Sequence, residues 1–355
     1  MADRNLVRLQ DVAARAGVSI ATASRMLSDP NYGGRAALRE RVLAAAAELG
    51  YRVNPHARAL ATSSSTSVGL VVHDVRDSYF ALLSGGVMAV AEREDLLVNM
   101  VCTYRDPARE LEYVKRLIDQ RVRALILAGS GFRDTAHNDA MRAELSAFQE
   151  SGGSVVSVTR GRDIGHLVQI DNAGGMRELA GAMVGLGHTS FGVVAGPLRL
   201  LTVRDRLQGL RQGLKDHGIV LGRDDVVYTD LSREGGLTGA QTLMSRRNPP
   251  RCLMAVADVM ALGALSWLRS NAVSVPDEVS VTGFGGLPAA LDAVPPLTTV
   301  EIPLERVGET AMDLALRSPS PRHVVEIEGA LALRDSAAAP ARQNGPPERA
   351  ARTGR

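Results

Sequence analysis

Apolar positions in the first sixty residues recur at helical spacing. Leu9, Val12, Ala13 and Ala16 of "LQDVAARA" fall on one helix face, and Gly17 follows as a stop. Ser19 then stands as the N-cap of a second helix running through Leu27. "DPNYGG" (29–34) is a turn cluster, and "RAALRERVLAAAAELG" is a third amphipathic helix closed by Gly50. "NPHARALA" (54–61) predicts a short fourth helix with Pro55 in its first turn, and "TSSSTS" (62–67) a flexible linker. Beyond the linker the pattern changes. Apolar strand-like runs alternate with helical stretches: "SVGLVVHD", "LLVNMVCTY", "ALILAG", "VVSVTR", "LVQIDN", "FGVVAG", "CLMAV" and "VSVTGFG". Their spacing is that of β-α-β units, so parallel sheets covered by helices are expected. Two doubly wound subdomains accommodate this many strands better than one wide sheet, and a ligand would then sit at strand carboxyl ends, between two lobes.

Composition narrows the function classes. Hydrophobic residues make up 45% of the 355 and charged residues 23%, ordinary for a globular chain with a sizeable core. The formal net charge is +2, but residues 1–63 carry nine Arg against five acids, a small basic head on a slightly acidic body. That asymmetry points to a polyanion as the partner of the head. Cys102 and Cys252 lie far apart in apolar runs and are expected to be buried hydrophobes, not a disulfide or metal site. The seven His show no ligand spacing, so neither metal nor cofactor is expected. "MADRNLVRLQD" is charged where a secretory signal would be apolar, and no apolar run reaches about 18 residues, so the expected location is the cytoplasm. "GSGFRD" (129–134) lacks the third glycine of a dinucleotide loop, and no nucleophile elbow or P-loop is present, which argues against an enzyme.

Two helices joined by a glycine turn, the second opened by Ser, have the form of a helix-turn-helix. In that motif the second helix enters the major groove. Ala21 and Ala23 permit close approach, Arg25 can take a guanine through two hydrogen bonds, and Thr22 and Ser24 suit phosphates. Read locally, the same stretch also fits an ordinary helical hairpin packed on the body.

"VRLQDVAARAGVSIATASRMLSDP", followed by "RERVLAAAAELGYRVNPHARAL", closely resembles the head of the LacI/GalR family of bacterial transcription regulators. The resemblance continues through "GLVVHDVRDSYF", "VQIDN", "LGHTSFGVVAGP", "RLQGL", "DVMALGAL", "VPDEVSVTGF" and "PPLTTVEIP", to about Ser336. It implies a small all-α helix-turn-helix head (1–52), a hinge helix and linker (53–66), and an α/β body (67–336) similar to periplasmic sugar-binding proteins. Lobe one would comprise about 67–161 plus 292–318, lobe two about 162–291 plus 319–336, and 337–355 a disordered tail.

It also implies function. Such a chain would be a homodimeric, sequence-specific repressor that binds operator DNA, with affinity set by a small effector between the lobes. The rival reading is a solute-binding protein of the same body fold with no DNA role. The DNA-contacting set implied is Ser19, Ile20, Ala21, Thr22, Ser24 and Arg25, with Asn54, His56, Ala57 and Leu60 in the hinge helix. Leu60 matches the leucine that wedges into the minor groove. Tyr79, Phe80, Arg160, Thr202, Arg206, Leu231, Asp258 and Gly285 fall on the effector-cleft motifs. The chain departs from the pattern at Arg8 and at Ala36 to Leu38, where helix caps are usual; each loss costs about 1 kcal/mol. Gly285 stands where an aspartate is usual, and Thr159 and Ala257 also replace polar positions. With fewer sugar anchors and with Arg160 and Arg206 retained, the expectation is an anionic or phosphorylated ligand.

Overall fold

The computed structural model describes residues 7–28, 36–51, 65–161, 163–317 and 321–340. The chain divides into two units, Met1–Thr66 and Ser67–Arg355.

The first unit holds α1 (Leu9–Ala16), α2 (Ile20–Ser28) and α3 (Ala36–Glu48) around a core of Val12, Ala13, Ala16, Ala23, Met26, Val42, Ala45 and Ala46. Gly17 closes α1 at φ +62, the left-handed conformation that only glycine adopts without strain, and the N–H of Val18 reaches back to Ala13 O. The missing cap at Arg8 is partly offset because the Asp11 carboxylate accepts its backbone N–H at 2.8 Å. Arg15 pairs with Glu48 at 2.7 Å, and Arg41 donates to Ala16 O, tying α3 to α1. Ala23 corrects an expectation: it is fully buried in this core, so its small size serves helix packing and not approach to a groove. The turn cluster and the hinge helix lie outside the described residues, and with them Asn54, His56, Ala57 and Leu60.

The body begins with β1 (Ser67–Val72), α4 (Ser78–Arg93), β2 (Leu97–Cys102), α5 (Pro107–Asp119), β3 (Ala124–Leu127), α6 (Thr135–Glu150), β4 (Ser154–Ser157) and β5 (His166–Ile170). It continues with α7 (Asn172–Gly185), β6 (Phe191–Ala195), α8 (Leu201–Asp216), β7 (Val226–Tyr228), α9 (Arg233–Met244), β8 (Cys252–Ala255), α10 (Asp258–Ser270) and β9 (Ser280–Thr282). It ends with α11 (Pro288–Leu291), β10 (Thr299–Glu301), α12 (Leu304–Ala315), β11 (Val324–Ile327) and β12 (Ala330–Ala332). One sheet has the order β11-β5-β4-β3-β1-β2 and the other β7-β6-β8-β9, all parallel; β10 and β12 form an antiparallel ribbon.

Alternation within the continuous apolar runs covers both sheet faces. Val68, Leu70, Val72 and Ile126 pack toward α4 and α12, while Val71, Leu125, Leu127 and Val155 pack toward α5 and α6. Gly86 on α4 and Gly308 on α12 let the two helices meet backbone to backbone: a Cβ at Gly86 would lie 1.9 Å from Glu305 O, and one at Gly308 would lie 2.0 Å from Leu83 O. The same close approach joins α7 to α8 at Gly209 and α9 to α10 at Gly236.

Strand pairing redraws the expected lobes. β5 and β11 belong to the first sheet, although 162–170 and 324–327 were expected in lobe two. Residues 298–301 run beside β9, through the bridges Thr282–Thr298 and Gly285–Glu301, so they belong with the second sheet and not the first. The chain crosses between lobes at 170–172, 302–304 and 327–330. Residues 337–340, expected in a disordered tail, are packed on lobe two, where Ala338 O accepts from His188 Nε2 at 2.9 Å. Cys252 is buried in β8, with its thiol pushed up by burial, whereas Cys102 on the edge strand β2 is only half-buried. The edge strands β2 and β11 are more exposed than the central strands because one side of each has no neighbouring strand.

Candidate functional site

In the head, Ser19 Oγ accepts the N–H of Thr22 at 3.1 Å and lies 2.8 Å from the Thr22 hydroxyl, so the cap is built and Thr22 is oriented by it. Ala23 and Met26 point inward, and the opposite face of α2 presents Ile20, Ala21 and Arg25, with Thr22 and Ser24 half-buried at its border. Ile20 is 54% exposed, an apolar side chain that the head's own core does not use. That face has the size and chemistry to meet base edges.

In the body one cavity gathers the carboxyl ends of both sheets. His73 follows β1, Ser130 follows β3, Thr159 follows β4, Leu231 follows β7, Asp258 follows β8 and Phe284 follows β9. These ends lie at the reversals of strand order, β1/β3 and β6/β8, where open α/β sheets bind ligands. Tyr79, Phe80, Thr202, Arg206, Leu231 and Asp258 all line this cavity, as expected; Arg160 and Gly285 do not.

Arg206 is buried on α8. Its Nε donates to Asn172 Oδ1 at 2.7 Å, Nη1 donates to Val256 O at 2.9 Å, and the guanidinium stacks 4.1 Å over the Phe284 ring. Burial pushes its pKa down and the nearby Tyr79 and Asp258 oppose this, so it stays a cation held in an apolar wall. Burial likewise raises the Tyr79 phenol. The Asp258 carboxyl, also raised by burial, is occupied structurally: it accepts Leu287 N–H at 2.8 Å and Thr299 Oγ1–H at 2.5 Å.

Arg160 is turned outward because Asp205 of the other lobe captures it. Its Nε donates to Asp205 Oδ2 at 2.7 Å, and its side chain is 57% exposed. Gly285, at φ +143, is used as backbone: its N–H donates to Val300 O. Among the lining residues that sequence reasoning missed, the charged one that stands out is Arg105. It lines the cavity from the β2–α5 turn, with Nη2 3.6 Å from Asp77 Oδ2. Burial lowers its pKa and raises that of Asp77. No periodic signal marks a lone arginine in a turn. Among the described residues no three or more His, Cys, Asp or Glu gather as metal ligands, and no helix is long and apolar enough to cross a membrane.

The free volume is about 50 Å³, room for a few waters at about 15 Å³ each. A clasp closes it: Arg133 N–H donates to Arg199 O at 2.8 Å, Leu201 N–H donates to Gly131 O at 3.0 Å, and Phe132 packs against Leu200 and Val203. Phe132 also meets His137 edge-on at 5.4 Å. Phe132→Leu is expected to weaken the clasp by about 1 kcal/mol, the scale of a methylene's worth of apolar packing lost against Leu200 and Val203. Amide exchange at Arg133 and Leu201 should then quicken roughly fivefold while the sheet amides stay protected; unchanged exchange at both would mean that the ring does not hold the lobes together.

A helix-turn-helix unit followed by a two-lobed body with a cavity at its strand ends defines a ligand-responsive DNA-binding regulator. Residues 8–54 match bacterial regulatory proteins of the lacI family, and residues 180–337 match the periplasmic binding protein-like domain. The chain is 32% identical to the HTH-type transcriptional regulator GalS of Salmonella typhimurium, over 88% of this chain and 90% of that protein. It is 29% identical to the HTH-type transcriptional repressor CytR of Escherichia coli, over 89% and 91%. The fold is that of the lac repressor dimer bound to operator and the anti-inducer ONPF, with a TM-score of 0.80 at 24% identity over 94% of this chain and 99% of that one. The chain belongs to the lacI family of bacterial regulatory proteins. It is a DNA-binding transcriptional regulator and not an enzyme.

Proposed function

We propose that this regulator is a cytoplasmic homodimeric repressor that reads operator half-sites with α2 and releases or tightens on DNA when a ligand enters the cleft. The observation that carries the reading is the outward face of α2, where Ile20, Ala21 and Arg25 stand exposed beside a built Ser19 cap. Ser19, Thr22 and Ser24 would hold phosphates. Asn54, His56, Ala57 and Leu60 would complete the contact as a hinge helix, with Leu60 unstacking the central base step. Two copies place two heads on a near-palindrome by two-fold symmetry. Tyr79, Phe80, Thr202, Arg206 and Leu231 form the effector site. A ligand that enters must part the Phe132 clasp, and the change in lobe angle alters the spacing of the hinges. By linkage, DNA then shifts ligand affinity by the same factor.

Selection of bound sequences from a random duplex pool, at stated salt, tests this reading. A near-palindrome should be enriched, and Arg25→Ala should lose about 1–3 kcal/mol on it and relax one position in each half-site. A solute-binding protein would enrich nothing and show no salt-dependent DNA binding.

A further inference from the structure

We propose that the cleft takes a small carboxylate carried on an apolar body, and not a polyhydroxylated sugar. The proposal rests on the reading of the cleft as the effector site and names what that site selects. A sugar hydroxyl both donates and accepts, so a sugar site must supply free acceptors as well as donors. Here the carboxylate and amide acceptors in and around the cleft are largely taken. Asp258 is filled by Leu287 N–H and Thr299, Asn172 Oδ1 by Arg206, and Asp205 by Arg160. Gly285 offers no side chain, and its N–H is taken by Val300 O. Asp77 remains, with one oxygen on Tyr79 N–H at 3.1 Å and the other facing Arg105.

Donors are in surplus. Buried Arg105 Nε has no hydrogen-bond partner among the described residues, an orphan of a kind that folded proteins rarely leave. Its long 3.6 Å approach to Asp77 leaves the guanidinium able to take a better-placed oxyanion. A second, independent feature points the same way. Tyr104 at φ +52 and Arg105 at φ +60 are consecutive non-glycine residues in the left-handed region, a conformation that L side chains rarely adopt. Strain of this kind gathers at ligand clamps, and here it delivers Arg105 into the cavity. Much of the remaining wall is apolar, from Phe80, Phe284, Leu200, Leu231 and Leu287, and of the hydroxyls between them Ser130 and Thr159 already donate to the backbone carbonyls of Gly131 and Gly129. A carboxylate supplies acceptors and no donors, and its hydrocarbon part fits that wall. A phosphate would bring a larger, doubly charged and strongly hydrated group to the same apolar space.

The experiment is calorimetric titration of the full chain with benzoate, phenylacetate and hexanoate, against benzamide, hexanamide, inorganic phosphate, galactose and ribose. At least one carboxylate should bind, and at least about tenfold tighter than its amide, the loss expected when a charge-assisted hydrogen bond goes. Arg105→Gln should weaken it about tenfold, and Arg105→Lys should restore part of the loss; circular dichroism and melting of both variants separate lost binding from lost fold. Binding of galactose or ribose more tightly than any carboxylate, equal binding of an acid and its amide, or no carboxylate binding at all would overturn the proposal. Operator binding on the same preparations keeps the two readings apart. A sugar response in a protein that selects DNA sinks the carboxylate alone, whereas a carboxylate binder that selects no DNA sinks the regulator.

Discussion

Gly308→Val lowers the stability of the body by about 3 kcal/mol, at the upper end of what overpacking costs. The added Cβ would lie 2.0 Å from Leu83 O and 2.9 Å from Val87 N, both backbone atoms of α4, so no side chain can swing aside to admit it. α12 has no room to retreat, because its other contacts are to β3, β4 and β5 in the centre of the first sheet. In a thermal melt the transition should fall by roughly 6–12 °C, taking about 2–4 °C per kcal/mol for a domain of this size. Gly85→Ala, one residue from Gly86 but with nothing within 4 Å of the new Cβ, is the control. It should be neutral or slightly stabilising, because alanine favours a helix by up to about 1 kcal/mol over glycine. If the two variants melt together, the backbone contact between α4 and α12 is not as close as described.

Asp258→Ala costs about 2–4 kcal/mol, because the buried donors that face the carboxyl lose their acceptor. The carboxyl group stands at the start of α10 and receives Leu287 N–H and Thr299 Oγ1–H. It thereby pins the loop after β9 and the strand β10 to the end of β8. Denaturant unfolding should show the loss in the midpoint, and Asp258→Asn, which keeps one oxygen, should recover part of it. A variant that unfolds like the parent chain yet no longer binds a cleft ligand would instead make Asp258 a direct ligand contact.

These two residues differ in how far they could be read in advance. Asp258 was placed at the cleft by its motif, and it does line the cavity, but its role depends on Leu287 and Thr299, which are 29 and 41 residues away. Gly308 gave no signal, since a glycine within a helical pattern reads only as a weak position until its neighbour helix is known. Arg160 and Arg105 exchanged roles for a similar reason. An ion pair with Asp205, 45 residues on and in the other lobe, turns Arg160 to the surface, while a strained turn after β2 brings Arg105 in. The eight apolar runs all became strands, whereas β7, β10, β11 and β12, each of three or four residues, were not anticipated. Segments of three or four residues are too short to show a period.

Local chemistry in the chain was enough to specify the helices of the head, the Ser19 cap, the Gly17 stop and the parallel strands, while Tyr79, Phe80 and Arg206 were placed at the cleft by motifs shared with the family. Each follows from spacing, capping or a motif within some fifteen residues, where backbone preference and hydrophobic period act directly. Where the lobes divide, which arginine faces the cavity, which carboxylates remain free to accept, and how closely the helices approach were settled by folding. Those outcomes depend on which distant groups meet once apolar burial has brought the sheets together, and a buried donor or charge takes whatever partner that packing presents.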